Sequence, residues 1–492
     1  MAEYKKVSQH EHILLRPDSY VGSIDPIIQE LLVYKNGQLK NELFDNYVPG
    51  FYKIIDEIVV NAIDQRTNTE KLRKKERMDE LHIDVNSNRI VITNNGKGIP
   101  VKRLKEYDNV YAPEMIMGQL LTSSNYKDNE AKVTGGRNGY GAKLTNIYST
   151  YFKLETCDGK KYYSQVWKNN MYEKEDAVIL NNKHQFTRIN FKPDLEKFKL
   201  TKIDENMKAL IHRRSIDAAV WCKGKVKVLF NKKEIQINTL EKYALNYTNN
   251  RNIFSFKSKC GNWEFVLSYN TNNNFEQISY VNGIATIRGG KHVDYIVKQF
   301  TKRMAEILSK REKKSISQKS IKTNLLIFLR SVIVNPTFDG QTKEKLTTPI
   351  GKFGSECIIN KQIVEKVLKA LPELVELSIA QAEFKNSRIL KKTDGSKRLS
   401  IRGIPKLCDA TYAGGKKSKD CVLILTEGDS AKTMALSGLS AIKDGRNIYG
   451  IFPLKGKLLN VKGIALNRVV ENKEISNIKK ILGLKSGITY EK

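Results

Sequence analysis

The chain has 492 residues, 40% of them apolar, which suffices for several hydrophobic cores and about three domains. No stretch reaches the roughly 20 apolar residues of a membrane span, and the polar start "MAEYKKVSQHEHILL" is unlike a signal peptide, so neither a membrane protein nor an exported one is expected. Lysine and arginine number 85 against 53 acids, a formal net charge of +32 spread through folded-looking sequence, and this points to a polyanionic partner, DNA or RNA. Six cysteines (Cys157, Cys222, Cys260, Cys357, Cys408, Cys421) lie far apart without C-x-x-C spacing and read as reduced thiols of an intracellular protein.

In chain order, "FYKIIDEIVVNAIDQR" (51–66) has apolar residues at helical spacing, and the same helix puts Glu57 and Asn61 on one face, one turn apart. A carboxylate beside a carboxamide on an apolar helix is costly to bury without a role; the alternative is a solvated helix face. "HIDVNSNRIVITNNGKG" (82–98) reads as a hairpin turning at "NSN", followed by glycines that let a flat ring approach the backbone. "VTGGRNGYGAKLTNIYS" (133–149) packs four glycines before a helix-like run, a backbone suited to turning N–H groups toward an anion. It is neither a Walker A loop, since Ala142 precedes Lys143 and Leu144 has no hydroxyl, nor G-x-G-x-x-G, so a tight structural turn stands equally open on spelling alone.

"KVKVLFNKKEIQI" (225–237) is another hairpin, bent at Asn231. A second unit begins near Tyr243 with "WEFVLSYN", "QISYVNGIATI" and the helical "HVDYIVKQFTKRMAEILSK", and closes near Leu377. The basic stretch 385–419 reads as a connector, and "CVLILTEGDSA" as a buried parallel strand ending in a turn of acids and glycine.

Taken together, "ExxVNAxD", "NNGKGIPV", "LLTSSNY" and "GGRNGYGAK" resemble, in order, the GHKL ATPase superfamily, and more narrowly the N-terminal part of eukaryotic-type type IIA DNA topoisomerases. The resemblance covers essentially the whole chain. It implies an α/β (α+β) protein: a GHKL (Bergerat) ATPase layer sandwich with an N-terminal arm over 1–240, a ribosomal-protein-like transducer over 241–384, a basic linker over 385–419 and an incomplete, Rossmann-like TOPRIM domain over 420–492.

The same resemblance implies roles. Glu57 matches the general base that polarises the attacking water, and Asn61 the asparagine that holds Mg2+. Asn95 stands where the wider superfamily places an aspartate on adenine. Ser123, Ser124 and Asn125 match nucleotide contacts, and Gly136, Arg137, Asn138, Gly139, Tyr140, Gly141, Ala142 and Lys143 match the loop closing on the triphosphate of ATP. Tyr4 belongs to an arm reaching a second subunit's nucleotide, so the chain is expected to form a homodimer through its ATPase gate.

"NPTFDGQTKEKLT" (335–347) is by itself a polar surface loop. By resemblance it carries Gln341, Thr342 and Lys343 to the γ-phosphate from the second domain. Between Lys302 and Lys322 stand eight basic and two acidic residues, and the position resembles a DNA-sensing loop, which makes Lys310, Arg311, Lys313 and Lys314 expected duplex-DNA contacts. "LTEGDSA" and "FPLKGKLLNV" resemble a TOPRIM opening in which Glu427 is a metal ligand and Lys457 and Asn460 lie against DNA.

No aspartate follows Asp444, so the D-x-D-x-D-G motif of a complete cleavage site is missing, as is the family's DNA-cleaving tyrosine. The expected partner in cleavage is either a separate subunit or a C-terminal part of the same enzyme, and the expected location is intracellular with DNA, the nucleus if the source is eukaryotic. Two rival readings are a GHKL clamp without a cleavage partner, which has no need of "EGDSA" and "PLKGKLLNV", and a non-enzymatic DNA-binding scaffold, which has no need of Glu57, Asn61 and Lys343.

Overall fold

The computed structural model describes residues 6–122, 131–136, 139–248, 250–395, 403–461, 464 and 466–490. Helix α1 (Gln9–Leu15) starts where sequence chemistry places it, because Ser8 and Glu11 form a reciprocal capping box. Strands β1 (Ile27–Lys35) and β2 (Gln38–Tyr47) pair as a separate hairpin. Helix α2 (Pro49–Thr69) follows, with Pro49 in the first turn, where its missing N–H costs nothing. It is buried over most of its circumference, so the polar side of the helix is not a solvated face.

Next come β3 (Glu80–Val85), β4 (Ile90–Asn95), β5 (Arg103–Leu104), β6 (Val110–Tyr111), α3 (Ala112–Gly118), α4 (Gly141–Ile147), β7 (Ser149–Asp158), β8 (Lys161–Lys168), β9 (Glu173–Lys174), β10 (Val178–Asn181), β11 (Gln185–Pro193), α5 (Glu205–Trp221), β12 (Lys227–Phe230) and β13 (Lys233–Glu234). They build a nine-stranded sheet in the order β10-β8-β7-β11-β4-β3-β12-β13, with β9 beside β8. Only β12 against β3 is parallel; both expected hairpins, β3–β4 and β12–β13, are present. Helices α2, α4 and α5 pack with this sheet around one apolar core, and the strict two-residue alternation of burial in β3 and β4 assigns one strand face to that core.

The second sheet is assembled from β14 (Phe254–Lys257), β15 (Trp263–Tyr269), β16 (Glu276–Val281), β17 (Ile284–Ala285) and β18 (Leu325–Ser331), in the order β14-β15-β18-β16-β17. Strands β16 and β18 are parallel and therefore need a long crossover, supplied by α7 (Lys291–Arg311) and α8 (Gln318–Thr323). Every residue of β18, "LLIFLRS", is buried.

The chain divides into two compact units, residues 1–304 with 322–374, and 305–321 with 375–492. The expected border at 240/241 lies inside the first. There α6 (Leu240–Tyr247) buries Leu240, Tyr243 and Ala244, the ring of Tyr243 meets Phe328 of the second sheet at 6.0 Å, and core residues of both sheets form one cluster.

A buried charge network crosses this core. Arg214, 1% exposed, pairs with Asp56 Oδ1 at 2.6 Å and donates to the carbonyl of Gly283, just after β16, at 2.9 Å. Arg213 pairs with Asp217 at 3.1 Å, and the Tyr280 hydroxyl donates to Asp217 at 2.7 Å. Burial pushes the Asp56 carboxyl up, but Arg214 and Lys53 outweigh it and hold it below its ordinary value.

After α9 (Lys361–Ala370), α10 (Pro372–Lys391) runs well into the stretch read as a connector, because no proline or glycine interrupts the sequence between Pro372 and Gly395. Within the second unit Asp394 is held by Lys479 at 2.9 Å and by the Ser486 backbone N–H at 2.9 Å. Strand β19 (Val422–Glu427) leads through α11 (Gly428–Ser440) and α12 (Gly445–Ile448) to β20 (Tyr449–Leu454), its parallel partner. The expected parallel strand is there, with β20 as its one sheet neighbour among the described residues, but it is not buried: Val422 is 49% and Leu425 41% exposed. Two further helices, α13 (Leu466–Glu471) and α14 (Lys473–Ile481), follow.

Replacing Arg214 by methionine strands Asp56 in the core and should lower unfolding free energy by about 3–5 kcal/mol. Urea unfolding of Arg214→Met, alone and combined with Asp56→Asn, measures this; the double variant should recover part of the loss, because the buried charge is gone.

Candidate active site

A cavity of about 550 Å³ opens beside α2, lined also by β4, β11, the start of α4 and the loop after β18. Glu57 is in its wall, 3% exposed. Its Oε1 faces two ammonium groups, Lys53 Nζ at 2.7 Å from one turn earlier on α2 and Lys343 Nζ at 3.2 Å from the loop after β18. Burial raises the carboxyl, yet Lys343 and Lys53 outweigh it and hold Glu57 at about 2, so it is ionised and weakly basic in this state. The other oxygen, Oε2, lies against Gly141, where a β-carbon would stand only 2.2 Å away. The glycine at 141 is therefore needed by the carboxylate of α2, for want of room beside it.

Asp64, two turns after Glu57, fixes the base of the glycine-rich loop: its two oxygens accept from the backbone N–H of Gly135 and Gly136, each at 2.8 Å. Burial pushes this carboxyl up to about 6 against the pull of those two donors. Gly136, Gly139, Tyr140, Gly141, Ala142 and Lys143 all line the cavity. Lys143 is 2% exposed, and its Nζ is caught by the carbonyls of Thr122 and Gly139, both at 2.6 Å. With no carboxylate against it among the described residues, burial lowers it to about 8. Tyr140 also accepts from Gln9 at 3.0 Å, which ties the loop to α1.

Lys143 and Lys343 bring positive charge to the cavity wall, while Ile92, Ile99, Ile116, Met117 and Ile189 give it an apolar lining. Asn61 lines the cavity one turn beyond Glu57. The Asn61 carboxamide oxygen stands near the backbone of Gly136 in the cavity wall, a hard donor of the kind that would suit Mg2+ beside phosphate oxygens.

Two of the expected residues are placed outside the cavity lining. Asn95 does not line the cavity: its Oδ1 accepts from the Asp79 and Glu80 N–H groups at 2.9 and 2.8 Å, and its amide donates to Asp79. Asn94, 5% exposed, lines the cavity instead, because it continues the buried alternation Ile90, Ile92, Asn94 along β4. Thr342 lies beside Gly22, outside the cavity lining, while its neighbours Gln341 and Lys343 are in it. Lys343 holds φ at +62°, a rare conformation for a side-chain-bearing residue that the loop maintains at the point where it meets Glu57. Tyr4, Ser123, Ser124, Asn125, Arg137 and Asn138 lie outside the described residues.

In the second unit, Lys310, Arg311, Lys313 and Lys314 are exposed; Arg311 pairs with Glu312 at 3.2 Å and Lys314 with Glu383 at 2.5 Å. Lys457 and Asn460 are exposed after β20. Glu427, at the start of α11, lines a separate cavity with Asp429 and Glu471, and Asp429 is paired with Lys406. Sequence reasoning missed Lys53, Asp64 and Asn94. The alternation in β4 could have found Asn94, and the i,i+4 spacing could have found the Lys53–Glu57 pair; nothing local signals that this pair is buried.

Residues 47–179 match the family described as histidine kinase-, DNA gyrase B- and HSP90-like ATPase, and residues 222–393 match DNA gyrase B. The chain is 45% identical to DNA topoisomerase 2 of Arabidopsis thaliana over 99% of its own length, and it spans about a third (33%) of that relative. The ATPase region of Saccharomyces cerevisiae topoisomerase II superposes with a TM-score of 0.71 and 38% identity, covering 77% of this chain and 99% of that one. The ATPase and transducer domains of DNA topoisomerase II from Balamuthia mandrillaris give 0.73 and 34%, covering 78% and 99%.

Gly141→Ala should cut ATP turnover by about 100-fold or more, since displacing Glu57 by an ångström is enough for that loss. Steady-state hydrolysis beside a thermal melt checks that turnover falls while the fold persists. Burial lowers the Lys143 ammonium to about 8, so its charge is lost progressively as pH rises through that value. Affinity for a non-hydrolysable ATP analogue should therefore fall as pH rises from 7 to 9, and titration calorimetry on Lys143→Arg, which stays charged, should show a flatter profile.

Proposed function

The chain belongs to the topoisomerase II family, matching its ATPase region, and from that premise we propose that it is the ATP-driven gate of a type II DNA topoisomerase. The observation that carries the reading is the meeting of Glu57 and Lys343, 286 positions apart in sequence, at 3.2 Å in one buried site. A base on the first sheet's helix and a cation on the loop after β18 suit a reaction in which a terminal phosphate is held from one side while water is activated from the other.

In that reaction ATP lies with its base against the apolar lining, where the Asn94 side chain is one polar group available to read it. The triphosphate occupies the glycine loop, with Lys143 and Lys343 as its cations and Asn61 as the protein's ligand to Mg2+, which when bound neutralises phosphate charge. Lys343 and Gln341 engage the γ-phosphate. As Lys343 leaves Glu57 for the phosphate, the carboxylate regains basicity and Oε2 takes a proton from the attacking water. The bond from the γ-phosphorus to the bridging oxygen breaks, yielding ADP and phosphate. Loss of the γ-phosphate releases Lys343, and this would report hydrolysis to the second sheet.

The larger cycle is part of the same proposal. Residues 1–240 act as ATPase domain and 241–384 as transducer; two protomers close around a DNA segment, with the arm bearing Tyr4 reaching the partner. The exposed Lys310, Arg311, Lys313 and Lys314 contact duplex phosphates, as do Lys457 and Asn460 after β20. Residues 420–492 begin a TOPRIM domain in which Glu427 is one metal ligand, and cleavage is completed by acids and a tyrosine supplied by a C-terminal part or a separate subunit. The setting is intracellular, with DNA, and nuclear in a eukaryote.

Wild-type turnover should rise with duplex DNA and fall with added salt, as phosphate contacts are screened. Glu57→Gln should lose about 10²- to 10⁴-fold in turnover with or without DNA while still binding ATP. A coupled hydrolysis assay decides, and unchanged turnover in Glu57→Gln would remove that residue from the role.

A further inference from the structure

Lys53 is a buried cation that the reaction described above does not use. It stands one helical turn before Glu57, 4% exposed, with Nζ 2.7 Å from Glu57 Oε1 and 3.7 Å from Asp56 Oδ2. Asp56 already has a closer partner, since Arg214 meets its other oxygen at 2.6 Å. Glu57 is therefore the nearer and less committed carboxylate, and the two lysines that face it converge on the same oxygen. They differ in how they are held. Lys343 sits on a loop, whereas Lys53 is on the same rigid helix as Glu57 and keeps its distance whatever that loop does.

We infer that Lys53 is a positioning residue for ATP hydrolysis: it holds Glu57 Oε1 throughout the cycle, so that Oε2, against Gly141, is the oxygen presented to water. This rests on the reading of Glu57 as base and of Lys343 as the γ-phosphate ligand. When Lys343 turns to the phosphate, Glu57 is left in a water-poor wall beside a polyanion. A carboxylate so placed without a counter-ion takes up a proton or swings away from the negative charge, and either ends its use as a base. Lys53 prevents both, because its charge stays behind when the other leaves. Burial disfavours the Lys53 ammonium, but Glu57 and Asp56 more than compensate and keep it charged. A lysine at this spacing on an exposed helix is an ordinary i,i+4 pair worth a few tenths of a kcal/mol; here both ends are buried.

The test compares the wild-type chain with Lys53→Met, Lys53→Gln, Lys53→Arg, Glu57→Gln and the Lys53→Met/Glu57→Gln double variant, in steady-state ATP hydrolysis with duplex DNA, beside thermal melts and binding of a non-hydrolysable ATP analogue. Lys53→Met should lower kcat about 10²-fold and leave KM and analogue affinity within about threefold; Lys53→Arg should restore most of kcat; and adding Lys53→Met to Glu57→Gln should cost nothing further, because the lysine acts through the carboxylate. Lys53→Gln keeps the length and a donor but not the charge, and replaces Lys53→Met in these comparisons if the latter fails to fold. The inference is overturned if Glu57→Gln is inactive while the folded Lys53 variants keep full kcat, or if kcat and analogue affinity collapse together and arginine does not rescue them. Full turnover in Glu57→Gln would overturn the underlying assignment of the base itself.

Discussion

Helix α2 carries Lys53, Asp56, Glu57 and Asp64 into an interior from which water is largely excluded, and each of these groups has to be compensated there. The compensation comes from distant parts of the chain. Arg214 on α5 meets Asp56, Lys343 on the loop after β18 meets Glu57, and the backbone of the glycine-rich loop meets Asp64. Neutralising one helix therefore brings together the sheet, the loop that would cover a nucleotide and the loop that would sense it. An apolar helix at this position would pack as well and would organise none of them.

The same network gives the second sheet a hold on the site. Arg214 donates to the carbonyl of Gly283, and the preceding Asn282 exchanges hydrogen bonds with both backbone groups of Ile333 while its amide also reaches the carbonyl of Thr134. Two residues beyond Ile333, Asn335 and Lys132 are joined by a backbone bond of 2.9 Å and a side-chain bond of 3.1 Å. The root of the glycine loop and the strand exit that leads to Gln341 and Lys343 thus share one set of hydrogen bonds. These bonds form a contiguous connection between the two loops, each a directional contact that resists being stretched.

Much of the local structure was legible because it depends on neighbours in sequence. The helix over 51–66, the hairpins at 82–98 and 225–237, the glycine-rich turn ahead of a helix and the β19 strand all follow from periodicity and turn chemistry. Misreadings arose where the deciding partner is remote or absent. Asn95 and Asn94 are adjacent and chemically identical, and only the face of β4 that packs on the core tells which one enters the cavity. The stretch from Lys385 looked like a linker by composition, yet α10 continues to Lys391 because nothing in the chain breaks it. Strand β19 looked fully buried by its apolar run, but burial of a parallel strand requires cover on both faces of its sheet, and Val422 and Leu425 stay exposed.

What the sequence by itself determined is the order of elements, the α/β class, the basic character, and the spacing of Glu57 and Asn61 on one helix face, since each rests on residues within a few positions of one another. What only the tertiary structure decided is the electrostatic identity of the site: that Lys343, 286 positions away, joins Lys53 on one oxygen of Glu57, that Asp64 anchors a loop 71 positions away, and that Lys143 is a buried cation without a carboxylate among the described residues. The physical reason is that the strength of a charge depends on its distance to other charges and to water. Those distances are set by packing between segments whose separation in sequence carries no trace of their contact.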